Sequence, residues 1–490
     1  MNIASIDTLG KLLDSGYKSI SIKEELRKNL IVKLQRKEKI FDQIHAYADT
    51  VIPELERAIL SQHNILLLGL RGQAKTRIAR LMVNLLDEYI PIVAGSELND
   101  DPLNPISGFA KSLINERGNE APIAWLHRSK RYTEKLATPD VNIADLIGDT
   151  DPIKAANLKL NYSDERVIHF GLIPRSNRCL FVINELPDLQ ARIQVALFNI
   201  LQEGDMQIRG FKIQLPLDIH FTFTANPEDY TNRGSIVTPL KDRIESQILT
   251  HYPKSIEDAK AITLQEIKLA PSQQSTITTN SIVEDLVELI VMEARKSEFI
   301  DQKSGVSARL AISALENLFS TAERRMLLNN ESSTALRILD MMGVIPSITG
   351  KIELVYEGEQ EGSAIIAQNL IGKAIRTLFT QYFPNPEKLK KRKEASPYLE
   401  VIEWFSSGNE LDLLIDSSNN NYYEALKQVP TLEELVDKLH PNIKPEVKFL
   451  MMEFVLHGLS EFSLLSKTTL TRSLKFKDLL SSVFPNSKAD

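Results

Sequence analysis

Cysteine is almost missing from this chain of 490 residues. The single Cys179 excludes an internal disulfide and any metal site built from cysteines, and it suits a reducing compartment, so a cytoplasmic protein is expected. Long apolar runs are missing too. The longest aliphatic stretches, such as Ile65–Leu68, fall far short of the ~18–20 residues that cross a bilayer. The opening MNIASIDTLGKLLDSG has no basic run followed by an apolar stretch, so neither a membrane span nor a secretory leader is expected. A surplus of positive charge is also absent, since 58 Lys+Arg against 65 Asp+Glu leave −7. Phosphate-backbone binding needs clustered cations, which argues against nucleic acid as a partner. Neither internal repeats nor low-complexity tracts are found, which removes the collagenous and disordered classes.

What remains is the composition of a globular protein, 43% hydrophobic and 25% charged, long enough for two to four domains at roughly 100–200 residues each. Residues 1–40 read as a helical lead-in, with charge-rich text (IKEELRKNL) and apolar positions three and four residues apart. From 41 to 253 the short runs NILLLGL, IPIVAG, CLFVIN and IHFTFTAN alternate with helical stretches. That is the sequence form of an α/β core, a parallel sheet flanked by helices. Residues 254–345 are helical in pattern and 346–490 mostly so. Within the latter, a small β-hairpin is expected near 351–366, where IELVY runs into Gly358 and Gly362, and a linker near 383–397, where FPNPEKLKKRKEASP joins prolines to a basic run. Thr431 with Glu434 forms a capping-box pattern before another helix.

The chemistry begins at Gly69. The strand text NILLL runs into G-L-R-G-Q-A-K-T, residues 69–76, and then into a helix with Ile78, Leu81, Met82 and Leu85 as its apolar face. A phosphate-binding loop needs this context. Backbone N–H groups of Gly69, Gly72, Gln73 and Ala74 and the helix N-terminus would receive phosphates, Lys75 adds a point charge, and the Thr76 hydroxyl reaches Mg2+. Ala74 stands where the motif has its last glycine; at φ > 0 an alanine costs about 1–2 kcal/mol. The alternative is a glycine-rich turn followed by a chance Lys-Thr. A second run, CLFVIN, ends at Asn184-Glu185, where a hydrolytic site holds its metal and activates water, with Glu185 as base. Asn184 replaces the usual aspartate there and brings no charge to the cation. The competing reading is that the pair caps the next helix. A third run ends at Asn226, placed either to bond water or a γ-phosphate or simply to open the turn NPEDY. Arg243 follows a short helix and Arg309 opens one; each is either a solvated cation or a phosphate ligand.

Taken in order, these pieces resemble Walker A, Walker B, sensor 1, arginine finger and sensor 2 of AAA+ ATPases. Around them, ADLIGDTDPIKAANLKL and VIHFGLIPRSNRCLFVINELPDL are similar to the group that holds MoxR-type ATPases and the ATPase subunit of magnesium chelatase, including its insert in the second helix. LFNILQEGDMQIRGFKIQLPLDIHFTFTANPEDY is similar to that group's hairpin before sensor 1, with Arg209-Gly210 at the tip. The resemblance spans roughly residues 40–318. It implies a P-loop AAA+ core followed by a helical lid, and ATP and Mg2+ as cofactors. Lys75 and Thr76 would bind nucleotide, and Thr76, Asn184 and Glu185 would stand at the metal. Glu185 would activate water, Asn226 would sense the γ-phosphate, and Arg309 would contact phosphates from the lid. Arg243 would act on a neighbour's ATP, which implies a homo-oligomeric ring, six in number by the resemblance.

The same group commonly works with a separate protein carrying a von Willebrand factor A domain; no D-x-S-x-S string of such a domain occurs in this chain. The first functional expectation is therefore an ATP-hydrolysing motor that remodels or activates a partner protein. The second is the ATPase subunit of a chelatase-like metal-insertion complex. A third, motivated by Ala74 and Asn184, is a nucleotide-switched scaffold that barely hydrolyses. The fourth, a nucleic-acid motor, stands against the charge balance.

Overall fold

The computed structural model describes residues 5–159, 165–203, 205–206, 215–227, 235–441, 443–470 and 472–479. The chain forms two compact units, residues 1–252 and 253–490.

Five strands make the sheet of the first unit: β1 (Ile65–Leu68), β2 (Tyr132–Leu136), β3 (Cys179–Asn184), β4 (Ile219–Ala225) and β5 (Ser246–Leu249). All neighbours run parallel, in the order β5-β1-β4-β3-β2. This is the parallel α/β sheet flanked by helices that the sequence pattern leads one to expect, with β4 between β1 and β3. Alternate residues of β1 serve opposite faces. Leu66 packs with Phe181, Ile183 and Phe223, whereas Ile65 and Leu67 join Leu26, Leu55 and Ile78. Both faces are therefore covered, which is why β1 and most of β3 read as apolar runs, while β4 buries His220, Thr222 and Thr224 along with its apolar residues. Because the strands are parallel, their C-terminal ends emerge at one edge, where the residues after Leu68, Asn184 and Ala225 gather.

One expectation for this unit changes. IPIVAG is not in the main sheet: Tyr89–Val93 pairs antiparallel with Ile123–His127 in a separate two-stranded ribbon. Pro91 has no N–H to give, which bars it from an interior strand. The helical lead-in packs onto this core. The helix Ile22–Gln35, capped by Ser21 accepting from the Glu24 N–H, buries Ile22, Leu26 and Leu30 in the layer over β1. Its Glu25 forms a buried ion pair with Arg131 at 2.7 Å. The expected hairpin tip, Arg209-Gly210, lies outside the described residues.

In the second unit a single apolar cluster runs from Ile277 to Phe476, so residues 254–345 and 346–490 share one core. The hairpin expected near 351–366 is not formed. Helices Tyr356–Glu361 and Ser363–Tyr382 occupy that stretch, divided at Gly362 with φ +97°. Gly358 lies inside the first of them, where a Cβ would sit 2.4 Å from the Phe299 carbonyl oxygen. Its glycine serves close approach rather than a turn. The small hairpin of this unit is Ser466–Thr469 with Ser473–Lys477, extended by Leu411–Leu414.

Nor is 383–397 a linker. Asn385 caps the helix Pro386–Arg392, and Phe383 and Tyr398 on either side are buried in the cluster, leaving the basic run exposed. The Thr431–Glu434 capping box is likewise absent. Pro430 takes the first helical position, so Thr431 falls inside the first turn, with its hydroxyl buried and without a partner. Among the described residues no helix is long and apolar enough to cross a membrane.

Candidate functional site

The phosphate loop links the end of β1 to the helix Lys75–Leu81. Two residues of the loop take left-handed backbone, Gly72 at φ +73° and Ala74 at φ +56°. The loop thus keeps the turn that normally calls for glycine, and Ala74 carries the strain of about 1–2 kcal/mol. Surrounding residues hold it there. The Tyr47 hydroxyl lies 3.1 Å from the Gln73 carbonyl oxygen and 2.7 Å from that of His251. Thr250 donates its hydroxyl to Gln73 Oε1 at 2.7 Å, and Tyr252 donates to the Arg71 carbonyl at 2.9 Å. Gly69 is fixed by closeness rather than by φ: a Cβ there would lie 2.0 Å from Thr250 Oγ1 and 2.2 Å from Gln73 Oε1. Within the loop, Lys75 Nζ donates to the carbonyls of Gly69 and, at 3.0 Å, Leu70. Neutral carbonyls are weak partners for an ammonium, and a phosphate would replace them with charge-assisted bonds.

The two strand ends meet through Thr76. Its Oγ1 donates to Asn184 Oδ1 at 3.2 Å, and Thr224 Oγ1 on β4 donates to the same oxygen at 3.0 Å. Asn184 Nδ2 donates in turn to Glu134 Oε1 at 2.7 Å. The capping alternative for Asn184-Glu185 falls away. Glu185 precedes the short turn Leu186–Asp188 and makes no side-chain cap, and the helix Ala191–Glu203 starts later. Glu185 sits at φ +58°, ψ +47°, with its N–H donating to Thr224 Oγ1 at 3.2 Å. A left-handed glutamate at a strand end is uncommon, and such outliers gather at functional sites. Asn226 follows β4 directly, is 8% exposed, and its Oδ1 is buried without a partner among the described residues. An unpaired acceptor fits a water O–H rather than a phosphate oxygen, which is itself an acceptor.

The arginines are placed differently. Arg243 ends the helix Thr238–Asp242, donates to the Asp242 carboxylate and lies 4.9 Å over the Phe198 ring. Arg309 opens the helix Arg309–Leu328 of the second unit, and its side chain is exposed.

Sequence reading overlooked Glu134 and the clamp residues Tyr47, Thr250 and Tyr252. Glu134 lies on β2, whose text YTEKL has no aliphatic run to announce a strand. No local signal marks the clamp, because its members join the loop only through the fold. The donor set fits Mg2+. This ion keeps several waters and takes one or two protein groups beside phosphates, and here a hydroxyl and an amide oxygen meet, with Glu185 next in the chain. Among the described residues no cluster of three His, Cys, Asp or Glu could hold a metal by itself.

No family model matches the chain, and no curated protein does. Several solved structures are similar to it. A provisionally assigned ATPase from Cytophaga hutchinsonii is 17% identical over 72% of this chain and 96% of that one, with a TM-score of 0.28. The complex between subunits BchI and BchD of magnesium chelatase gives 16% identity over 65% and 97%, with a TM-score of 0.33. A mutant RuvB of Thermotoga maritima gives 11% over 77% and 83%, with a TM-score of 0.31. At these scores the likeness is loose, and the reading of the site rests on its own geometry.

Proposed function

We propose that the chain is an AAA+ ATPase that binds ATP with Mg2+ and hydrolyses it to remodel or activate a partner protein, in the manner of MoxR-type ATPases. The observation that carries this reading is the meeting of the loop and the acidic strand end, Thr76 Oγ1 to Asn184 Oδ1 at 3.2 Å. At the end of the neighbouring strand, Asn226 adds a buried oxygen without a partner among the described residues.

In this reading Lys75 leaves the loop carbonyls for the phosphates, and the loop N–H groups with the helix N-terminus receive them. Thr76 and Asn184 hold the cation, which when bound neutralises charge on the phosphate oxygens. Asn226 orients a water through its free acceptor. Glu185 takes the proton from that water at its carboxylate, a role the strained backbone aims it for. Arg243, parked on Phe198 and Asp242 within one chain, reaches a neighbouring subunit's nucleotide in a homo-oligomeric ring of six, and Arg309 serves the phosphates from the lid. A partner with a von Willebrand factor A domain and a cytoplasmic setting belong to the same reading.

A slow, switch-like enzyme is the second reading, favoured by the strained Ala74 and the uncharged Asn184. The first test is ATP turnover in the purified chain and its loss in Glu185→Gln. A pull-down with that variant in ATP then separates the outputs: a captured protein client supports remodelling, and porphyrin-pathway proteins indicate metal insertion.

A further inference from the structure

We infer that Glu134 is a positioning residue that sets which end of the Asn184 amide faces Thr76 and the cation. This rests on the nucleotide reading above and deepens it. An amide has a donor end and an acceptor end, and only its oxygen is of use beside a cation. Its contacts on the loop side do not decide the matter. Thr76 and Thr224 are hydroxyls, and a hydroxyl donates or accepts as required. Glu134 is the discriminating neighbour, because an ionised carboxylate only accepts. With its Oε1 2.7 Å from Nδ2, it holds the NH2 on its own side and leaves Oδ1 toward Thr76 Oγ1.

Glu134 is itself held in place. Tyr132 donates its hydroxyl to Oε2 at 2.9 Å, and Arg80 grips the carboxylate through Nε at 2.9 Å and a second nitrogen at 3.2 Å. Arg80 lies one turn beyond Thr76 on the loop's helix, so the same helix carries the hydroxyl at the cation and the cation that anchors Glu134. The missing aspartate and the presence of Glu134 are then one arrangement. A carboxylate at 184 would face Glu134 across the contact that the amide now fills, with no N–H to donate to it and a like charge opposite.

The test is the affinity of a fluorescent ATP analogue for the full chain, measured in EDTA and across a Mg2+ titration. Glu134→Ala should leave affinity in EDTA within about twofold while raising the half-saturating Mg2+ at least tenfold, as the amide loses its fixed sense. A merely structural role would instead weaken both measurements together and would overturn the inference. Asn184→Asp alone should not lower the Mg2+ requirement, whereas Asn184→Asp with Glu134→Gln should lower it below that of the unaltered chain. This pair keeps the question open to refutation if Glu134→Ala does not fold. Equal gains from the single and double variants, or an unchanged Mg2+ requirement in Glu134→Ala, would refute the role of Glu134 alone. Absence of analogue binding by the unaltered chain in all conditions would remove the nucleotide reading itself.

Discussion

Ala74 shows how a single residue limits the site. Its φ of +56° brings Cβ against the following carbonyl, and it stays there because Tyr47, Thr250 and Tyr252 tie down the loop around it. Ala74→Gly removes that strain, partly offset by the extra freedom glycine has in the unfolded chain, about 0.4–1 kcal/mol. A net gain of up to about 1 kcal/mol is expected, seen as a higher urea midpoint with unchanged slope. A lower midpoint would mean that the turn does not strain alanine. Glu185, also left-handed, has no such remedy, since its side chain is what the reading requires. Much of this site was legible in the chain: Lys75, Thr76, Asn184, Glu185 and Asn226 lie on or directly beyond apolar strands that announce themselves. Glu134 was not, because a carboxylate's role here depends on a partner 50 residues away, Asn184.

Among the elements, those buried on both sides declare themselves and those at edges do not. β1 and β3 are largely apolar text and β4 alternates β-branched and aromatic residues, but β2 (YTEKL) and β5 (SQIL) border the sheet and carry more polar residues, while IPIVAG looks like a core strand and is a side ribbon. In the second unit, IELVY and two glycines imitate a hairpin. The backbone there is helical, and Gly358 within it passes close to the Phe299 carbonyl. The helix Ser281–Ala294 carries a less visible cost. Its Glu288 is 4% exposed, and burial pushes the carboxyl up to about 7 although the Thr263 hydroxyl and the positive charges of Arg295 and Lys260 oppose the shift. In the fold this group keeps its proton up to about pH 7, whereas the unfolded chain releases it near pH 4.3. The unfolded state therefore binds fewer protons in that window, and stability falls as pH rises through it, the full cost being present above about pH 7. Glu288→Gln should raise the thermal midpoint at pH 8.5, by at most about 3 kcal/mol in stability, and change little at pH 4. A gain of equal size at both pH values would assign the effect to packing instead.

For the whole molecule, the candidate residues fall in both compact units. The phosphate loop, Asn184-Glu185, Asn226 and Arg243 belong to residues 1–252, and Arg309 to residues 253–490. If Arg243 completes a neighbour's site, as proposed, activity is a property of an assembly. Arg243→Ala should keep nucleotide affinity within about threefold and lose turnover by about 10²-fold or more. Mixing it with Lys75→Ala subunits, themselves inactive, should restore part of the rate, since each then supplies what the other lacks. No recovery at any ratio would show that Arg243 does not act across subunits. The central claim, that these strand ends form a hydrolytic site, is tested most directly by steady-state phosphate release from the purified chain with ATP and Mg2+, set beside Glu185→Gln. The account predicts slow but measurable release that falls at least about 10²-fold in the variant while nucleotide binding persists. Release equal in the two proteins, or none in the unaltered chain, would contradict it.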